Sequence, residues 1–163
     1  MHLMDIRKAE NTEKDCNLVF DLSNDPIVRA NSFSTERIEY ADHVQWYKKM
    51  LNDSDVLFFL VFDNADFVGQ IRFKRESWQD EKCVISLSIS EKFRGKGIAG
   101  CFLVLGIQEL NKSWHEIKEV TAEVKKGNVA SAKLFESAGF RTAEVGENNR
   151  DVSIYHSRII CKS

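Results

Sequence analysis

The run Arg94-Gly-Lys-Gly-Ile-Ala-Gly100 places two cations and three glycines within seven residues. Glycine lets backbone approach a ligand with no Cβ in the way. Free N–H groups and the positive dipole end at a helix start favour phosphate. A β-rich run, Val84 to Ile89, leads into the loop, and an apolar-periodic helix leads out of it. The segment is therefore expected to bind an anion such as a pyrophosphate. A plain strand-to-helix turn also favours glycine, but it has no need of Arg94 and Lys96. Two better-known phosphate loops fit less well. A Walker loop requires Gly-Lys-Ser/Thr, whereas Ile98 and Ala99 follow Gly97. Gly95-Lys-Gly97-Ile-Ala-Gly100 matches the dinucleotide string, but it stands late in the chain and no acidic ribose ligand ends the next strand.

A second pattern follows in order. Val120-Thr-Ala-Glu-Val124 reads as a strand, and Asn128-Val-Ala-Ser131-Ala-Lys-Leu134-Phe135-Glu-Ser-Ala-Gly139-Phe140 as a short helix ending in Gly-Phe. Together the two signatures resemble the GNAT superfamily of acetyl-CoA-dependent N-acetyltransferases, whose pyrophosphate loop reads Gln/Arg-x-x-Gly-x-Gly/Ala. The resemblance implies a mixed α/β (α+β) GNAT fold with a mostly antiparallel sheet of about seven strands, a splayed parallel pair and about four helices. It implies acetyl-CoA as cosubstrate, with Arg94, Gly95, Lys96, Gly97, Ile98, Ala99 and Gly100 at the pyrophosphate. Leu87, Ser88 and Ile89 would run along the pantetheine, and Asn128, Ser131 and Phe135 would line the opposite wall. Asn128 also precedes an Ala-rich helix and is a good N-cap, so cap and ligand readings stand together.

Transfer of acetyl to an amine sets three tasks: polarising the thioester carbonyl, taking a proton from the amine and stabilising the leaving thiolate. The resemblance gives the first to backbone N–H groups around Ser88. The third usually falls to a tyrosine seven residues after the Asn, where this chain has Phe135. The thiolate then leaves unaided or with water, which a thiol pKa of about 8.5 permits, or another hydroxyl serves. For the second task Glu81, Glu123 and His43 are candidates, directly or through water. A lysine-like amine is only about 0.04% neutral at pH 7, and an amine of pKa near 8 about 10% neutral. Without an obvious strong base, the second kind of acceptor, such as an amino sugar or a peptide α-amine, fits better.

The N-terminal third adds Ser23-Asn-Asp-Pro-Ile-Val-Arg29, Asp42-His43-Val-Gln-Trp46-Tyr-Lys-Lys49, Phe58-Phe-Leu-Val-Phe62 and Gly69-Gln-Ile-Arg-Phe73. This ordered set is similar to the pseudaminic acid pathway acetyltransferases, which act on a UDP-linked amino sugar, although Leu22-Ser23-Asn24 stands where that group often has Trp-Arg-Asn. An anionic diphosphate would need cations. Gln70, Arg72 and Lys74 alternate onto one strand face, and Arg29 and His43 stand in the N-terminal motifs of the acceptor side. Arg37 and Arg75 are further cations, and Phe33 or Trp78 could stack on a base. The same groups also fit a solvated face. Three readings stay open: an enzyme acting on a nucleotide-activated amino sugar, one acting on a protein or peptide amine, and a non-catalytic acyl-CoA-binding module.

The elements that must position these residues follow from periodicity. Strands are expected over Leu3–Lys8, Val56–Phe62, Phe67–Lys74, Lys82–Ile89 and Glu119–Val124, with two more after Gly139. Helices are expected over Glu13–Leu22, Ala41–Leu51, Ile98–Lys112 and Val129–Ala138. Cys16, Val19 and Phe20 mark one apolar stripe, and Ile98, Cys101, Phe102 and Leu105 another. Asp63-Asn-Ala-Asp66 suits a hairpin. At 163 residues the chain suits one domain, 1–163, and its 43% hydrophobic and 29% charged residues suit a globular protein.

A net charge of −2 argues against a nucleic-acid backbone as the main partner. No apolar run suits a membrane span, and the N-terminus lacks a signal-peptide core, so a cytoplasmic location is expected. Cys16, Cys83, Cys101 and Cys161 are scattered, and no Cys or His spacing suggests a metal. The expected partner is a small-molecule amine, with monomer and homodimer both open.

Overall fold

The computed structural model describes residues 4–143 and 152–158. Its strands are β1 (Met4–Lys8), β2 (Val56–Asp63), β3 (Asp66–Lys74), β4 (Lys82–Ile89), β5 (Glu119–Lys125), β6 (Arg141–Ala143) and β7 (Val152–Arg158). Its helices are α1 (Glu13–Ser23), α2 (Pro26–Ala30), α3 (Tyr40–Asn52), α4 (Ala99–Ser113) and α5 (Val129–Ser137). The strands form one sheet in the order β1-β2-β3-β4-β5-β7-β6, and every pairing is antiparallel except β4 with β5. This is the mixed fold expected from the sequence. Leu3, His2 and Cys161 lie outside the described residues.

Alternation along β2 assigns the two faces. Leu57, Phe59 and Val61 join the large core with Ile71, Phe73, Phe102, Leu103 and Leu110, which brings α4 onto that face. Phe58 and Leu60 point the other way, onto Cys16 and Val19 of α1 and Tyr47 of α3. Burying each such side chain is worth about 1.5–3 kcal/mol. Gly106 on α4 lies against Ile71, and a Cβ there would collide with that side chain, so this glycine sets how closely α4 approaches the sheet.

The buried stripe of α4 is Phe102, Leu103, Gly106 and Leu110. Cys101, expected on the buried stripe, is exposed, because the stripe is centred about one residue further along the helix. A fifth, short helix joins the four expected. Asp25 caps α2 by accepting hydrogen bonds from the Ile27 and Val28 N–H groups, at 2.9 and 3.2 Å, and Pro26 takes the first helical turn. Asn-Asp-Pro is the local signature of such a start. The hairpin between β2 and β3 turns at Asn64, with φ 54°.

At the end of the sheet away from the loop, Arg75 closes the structure. Its Nε lies 3.1 Å from Asp55 and its Nη1 2.6 Å from Glu116, and its guanidinium covers the Trp114 ring at 4.1 Å. Near the N-terminus Arg7 grips Asp15 with two bonds of 2.7 and 2.8 Å. Burial pushes the Asp15 carboxyl up, but Arg7 and the Glu10 N–H outweigh it and hold the carboxyl below its ordinary value. No described helix is long and apolar enough to cross a membrane.

Candidate active site

The parallel strands β4 and β5 pair only over Lys82–Ile85 and Glu119–Ala122. Beyond that point β4 continues with β3, and β5 with β7. The two strands therefore diverge and leave backbone groups of Ser86–Ile89 without a neighbour on the β5 side. A cavity of about 740 Å³ fills this divergence. Ile85, Ser86, Leu87, Ser88 and Ile89 form one wall and Ala122, Glu123 and Val124 the other.

The glycine loop closes one end of the cavity. Arg94, Gly95, Gly97, Ile98 and Ala99 all line it. Gly95 and Gly97 have φ of 70° and 73°, which L side chains rarely adopt. The N-terminus of α4 has no side-chain cap, so its first N–H groups remain available to a ligand. Open space surrounds the Cβ position of both glycines and of Gly100. A backbone cradle that ends in uncapped helix amides fits a pyrophosphate. The two loop cations behave differently from the sequence expectation. Arg94 donates from Nε to the Ile89 carbonyl at 2.9 Å and lies 2.9 Å from the Asp25 carboxylate. Lys96 is exposed and, like Gly100, does not line the cavity.

On the opposite wall Asn128 accepts a hydrogen bond from the Ser131 N–H at 3.2 Å and also lines the cavity with Ser131. It is placed to act as both cap and ligand. Phe135 lines the cavity with its ring packed on Phe140 and Tyr155. None of the tyrosines Tyr40, Tyr47 and Tyr155 lines the cavity, and its hydroxyls come from serines. Tyr155 is turned to Glu136, 3.3 Å away.

The other end of the cavity is built from α3 and β3, and α2 crosses the cavity from the glycine loop to β5. Arg72 projects into it, with its guanidinium over Trp46 at 4.7 Å and Phe58 at 5.5 Å. No described carboxylate or hydrogen-bond acceptor pairs with it. Burial lowers its pKa to about 10, which leaves it charged at neutral pH. His43 also lines this end and is buried. Its Nε2 lies 2.9 Å from the Cys16 carbonyl, which can only accept, so Nε2 carries the proton in the neutral ring and Nδ1 holds the lone pair. Burial lowers the His43 pKa, the Cys16 carbonyl opposes that, and Arg72 reinforces it.

The remaining candidates separate. Glu123 and His43 are brought to the cavity, whereas Glu81 is exposed outside it with its carboxylate 3.0 Å from Lys118. Arg29 lines the cavity but spends its guanidinium on the Ser23, Ser34 and Glu36 carbonyls and on Ser32 Oγ. Gln70 is buried one alternation from Arg72, off the cavity, with Oε1 unpartnered among the described residues. Lys74, Arg37 and Trp78 are exposed outside the cavity, and Arg75 belongs to the closed end of the sheet. Phe33 stands at the mouth, 63% exposed. The α2 wall, Ile27 and Val28, was not foreseen as part of the site, although the Asn-Asp-Pro start could have revealed its helix. No described cluster of His, Cys, Asp and Glu could hold a metal.

The acetyltransferase (GNAT) domain family matches residues 6–141, most of the chain. The chain belongs to this family. No curated relative matches the sequence. Among solved structures the chain is similar to spermidine N-acetyltransferase from Vibrio cholerae in complex with CoA and spermine, at 18% identity and TM-score 0.80, with 95% of each chain covered. It is also similar to Campylobacter jejuni N-acetyltransferase PseH in complex with acetyl coenzyme A, at 20% identity and TM-score 0.73, over 96% of this chain and 99% of that one. A third is RimL, a ribosomal L7/L12 alpha-N-protein acetyltransferase in complex with CoA, at 15% identity and TM-score 0.79, over 96% and 94%.

As a GNAT member the chain is an acetyl-CoA-dependent N-acetyltransferase. Acetyl-CoA supplies an activated acetyl thioester, and the loop, the open edge of β4 and the Asn128 wall are the residues that would hold it. These similar structures include a spermidine and a ribosomal-protein acetyltransferase, so the likeness leaves the acceptor class open.

Proposed function

We propose that the enzyme acetylates the amine of a nucleotide-activated amino sugar, with Arg72 receiving the anionic part of the acceptor. The observation that carries this reading is the Arg72 guanidinium, resting against the packed pair of Trp46 and Phe58 and lining the cavity with no described carboxylate beside it. A partly buried cation without an acid keeps its desolvation cost until an anion arrives. A polycationic acceptor would meet repulsion at this point. The apolar side chains of Ile27, Phe33 and Ile38 at the same end give a base or sugar face something to pack on.

The residues divide the chemistry as follows. Backbone N–H groups on the open edge of β4, around Ser88, polarise the acetyl carbonyl. The amine nitrogen forms its bond to the acetyl carbon as the carbon–sulfur bond breaks. The amine proton goes to Glu123 or to His43 Nδ1, directly or through water; the lowered pKa keeps His43 neutral and able to accept at pH 7. Phe135 offers no proton, so the thiolate leaves with water or with a cavity serine.

The test compares acetyl transfer to UDP-amino sugars, to spermidine and to an N-terminal peptide. The expected result is preference for the UDP-amino sugar, with Arg72→Ala raising the sugar KM about tenfold or more, as loss of a charge-assisted contact of about 1.5–3 kcal/mol requires. The acetyl-CoA KM should stay unchanged. Faster transfer to the peptide or to spermidine replaces this reading.

A further inference from the structure

The Asn24-Asp25-Pro26 turn has so far served only to start α2, yet its carboxylate reaches the cofactor loop. Asp25 Oδ1 accepts the Ile27 and Val28 N–H groups at 2.9 and 3.2 Å and lies 2.9 Å from Arg94 Nη2. Arg94 in turn ties back to the Ile89 carbonyl at the end of β4. The side chains of Arg94 and Asp25 are 24% and 15% exposed, so this contact lies largely out of solvent. One carboxylate oxygen thus joins the start of α2 to the first residue of the glycine loop.

The segment behind Asp25 is stitched into a strap. Asn24 exchanges two bonds with the backbone of Ile38, at 3.0 and 2.8 Å. Arg29 binds the Ser23 carbonyl at 2.6 Å, the Ser34 carbonyl at 2.9 Å and the Ser32 hydroxyl at 3.1 Å. On the far side Lys125 Nζ reaches the Ala30 carbonyl at 3.2 Å, which ties the strap to β5. The strap therefore crosses the divergence of β4 and β5 with one anchor on each side. Ile27, Val28 and Ile38 from it face the cavity.

We propose that Asp25 is a positioning residue for the cofactor loop: it fixes Arg94, and through Arg94 it holds the Gly95–Gly97 backbone in the shape that receives the pyrophosphate while locking the acceptor-side strap to that loop. This rests on the acetyl-CoA site and is independent of which amine is acetylated. Burial raises the Asp25 pKa, but Arg94 and the two α2 amides more than offset it, so the carboxylate stays charged through neutral pH.

Electrostatics and positioning make opposite forecasts. Asp25 is a negative charge beside an anion site, so Coulomb's law alone has its removal tightening acetyl-CoA binding. Positioning has removal loosening it. Asp25→Asn is the informative variant, since Asn caps a helix about as well as Asp and keeps α2 in place while losing the charge. Titration calorimetry with acetyl-CoA should show Asp25→Asn and Arg94→Gln each weakening binding about fivefold or more. The double variant should be no more than twofold weaker than the weaker single, because both changes break one contact. In the unliganded protein, amide exchange over residues 95–99 should accelerate in Asp25→Asn while the β3 amides and the thermal midpoint stay close to the parent. Asp25→Ser, which also keeps a cap, should repeat the result and serves if Asp25→Asn folds poorly. Unchanged or tighter acetyl-CoA binding in folded Asp25→Asn or Asp25→Ser overturns the proposal. So does a double variant whose losses multiply.

Discussion

The two ends of the cavity are made of different material. At the glycine-loop end the cavity is lined largely by backbone: Gly95 and Gly97 in left-handed conformations, followed by the uncapped amides of α4. Of the two charged side chains there, Lys96 is exposed off the cavity, while Arg94 lines it beside Asp25 with Nη1 lacking a hydrogen-bond partner among the described residues. At the other end the cavity lining is side chains drawn from distant segments, with Arg72 from β3 resting against the packed rings of Trp46 from α3 and Phe58 from β2. A backbone site depends on conformation and tolerates changes of side chain that leave conformation alone. A side-chain site is the reverse. That contrast explains how one fold keeps a constant donor and changes its acceptor.

The strongest way to break the contrast is at Gly97. Gly97→Glu forces an L residue to φ 73° and adds a negative charge where phosphate should lie. Acetyl-CoA affinity should fall at least tenfold, about 1.4 kcal/mol or more, by calorimetry. An unchanged affinity in a folded variant would show that the loop is not the cradle.

Arg75 offers the matching control for Arg72. The two arginines lie three residues apart, and the sequence offers both as acceptor cations. The fold gives Arg75 two carboxylates and Trp114 at the closed end of the sheet, with its side chain 10% exposed. Arg75→Ala should therefore lower stability by about 1–2 kcal/mol, because the partners Asp55 and Glu116 remain partly solvated. A thermal midpoint lower by about 2–8 °C, with acetyl-CoA and acceptor KM within twofold of the parent, is the expected result. A raised acceptor KM would return Arg75 to the site.

That pair also shows where the sequence stops speaking. The donor end was legible because its information is local. Glycine spacing, a strand before it and a helix after it all fall within one short window, and Asn128 reads as a cap from its neighbours alone. Most element bounds followed from periodicity in the same way, whereas the arrangement of the strands in the sheet came from the family resemblance. The acceptor end depends on which residues tertiary packing brings together. Nothing near Arg29 in the sequence says that its guanidinium will be consumed by the carbonyls of its own strap. Nothing near Glu81 says that it will lie beside Lys118. The short helix α2 was missed for a different reason: five residues are too few for an apolar period, and only its cap and proline mark it.

Phe135 tests the border between the two ends. It fills the position where the family's tyrosine would stand, and its ring packs on Phe140 and Tyr155 while reaching the cavity. Phe135→Tyr adds one hydroxyl to a ring that lines the cavity. The turnover number should hold or rise a few-fold, within the roughly 10²-fold reach of one acid–base group, with the acetyl-CoA KM unchanged. Loss of most turnover in a folded variant that binds acetyl-CoA normally would show that the wall requires an apolar edge at this point.

The smallest expected effect sharpens the comparison most. Lys96 stands inside the loop between the two left-handed glycines, where charge alone would make it the leading phosphate ligand. Its side chain is instead exposed and does not line the cavity, with Nζ 5.9 Å from the Phe93 ring centroid. An exposed cation near a phosphate contributes only a screened, long-range term that falls away within a Debye length, about 8 Å at physiological salt. Lys96→Ala should therefore weaken acetyl-CoA by less than about twofold at 0.15 M salt, with a slightly larger loss at low ionic strength. If affinity instead falls tenfold and the loss persists at high salt, Lys96 makes a direct contact when the cofactor is bound. The donor end would then be a side-chain site like the acceptor end, and the division between them would fail.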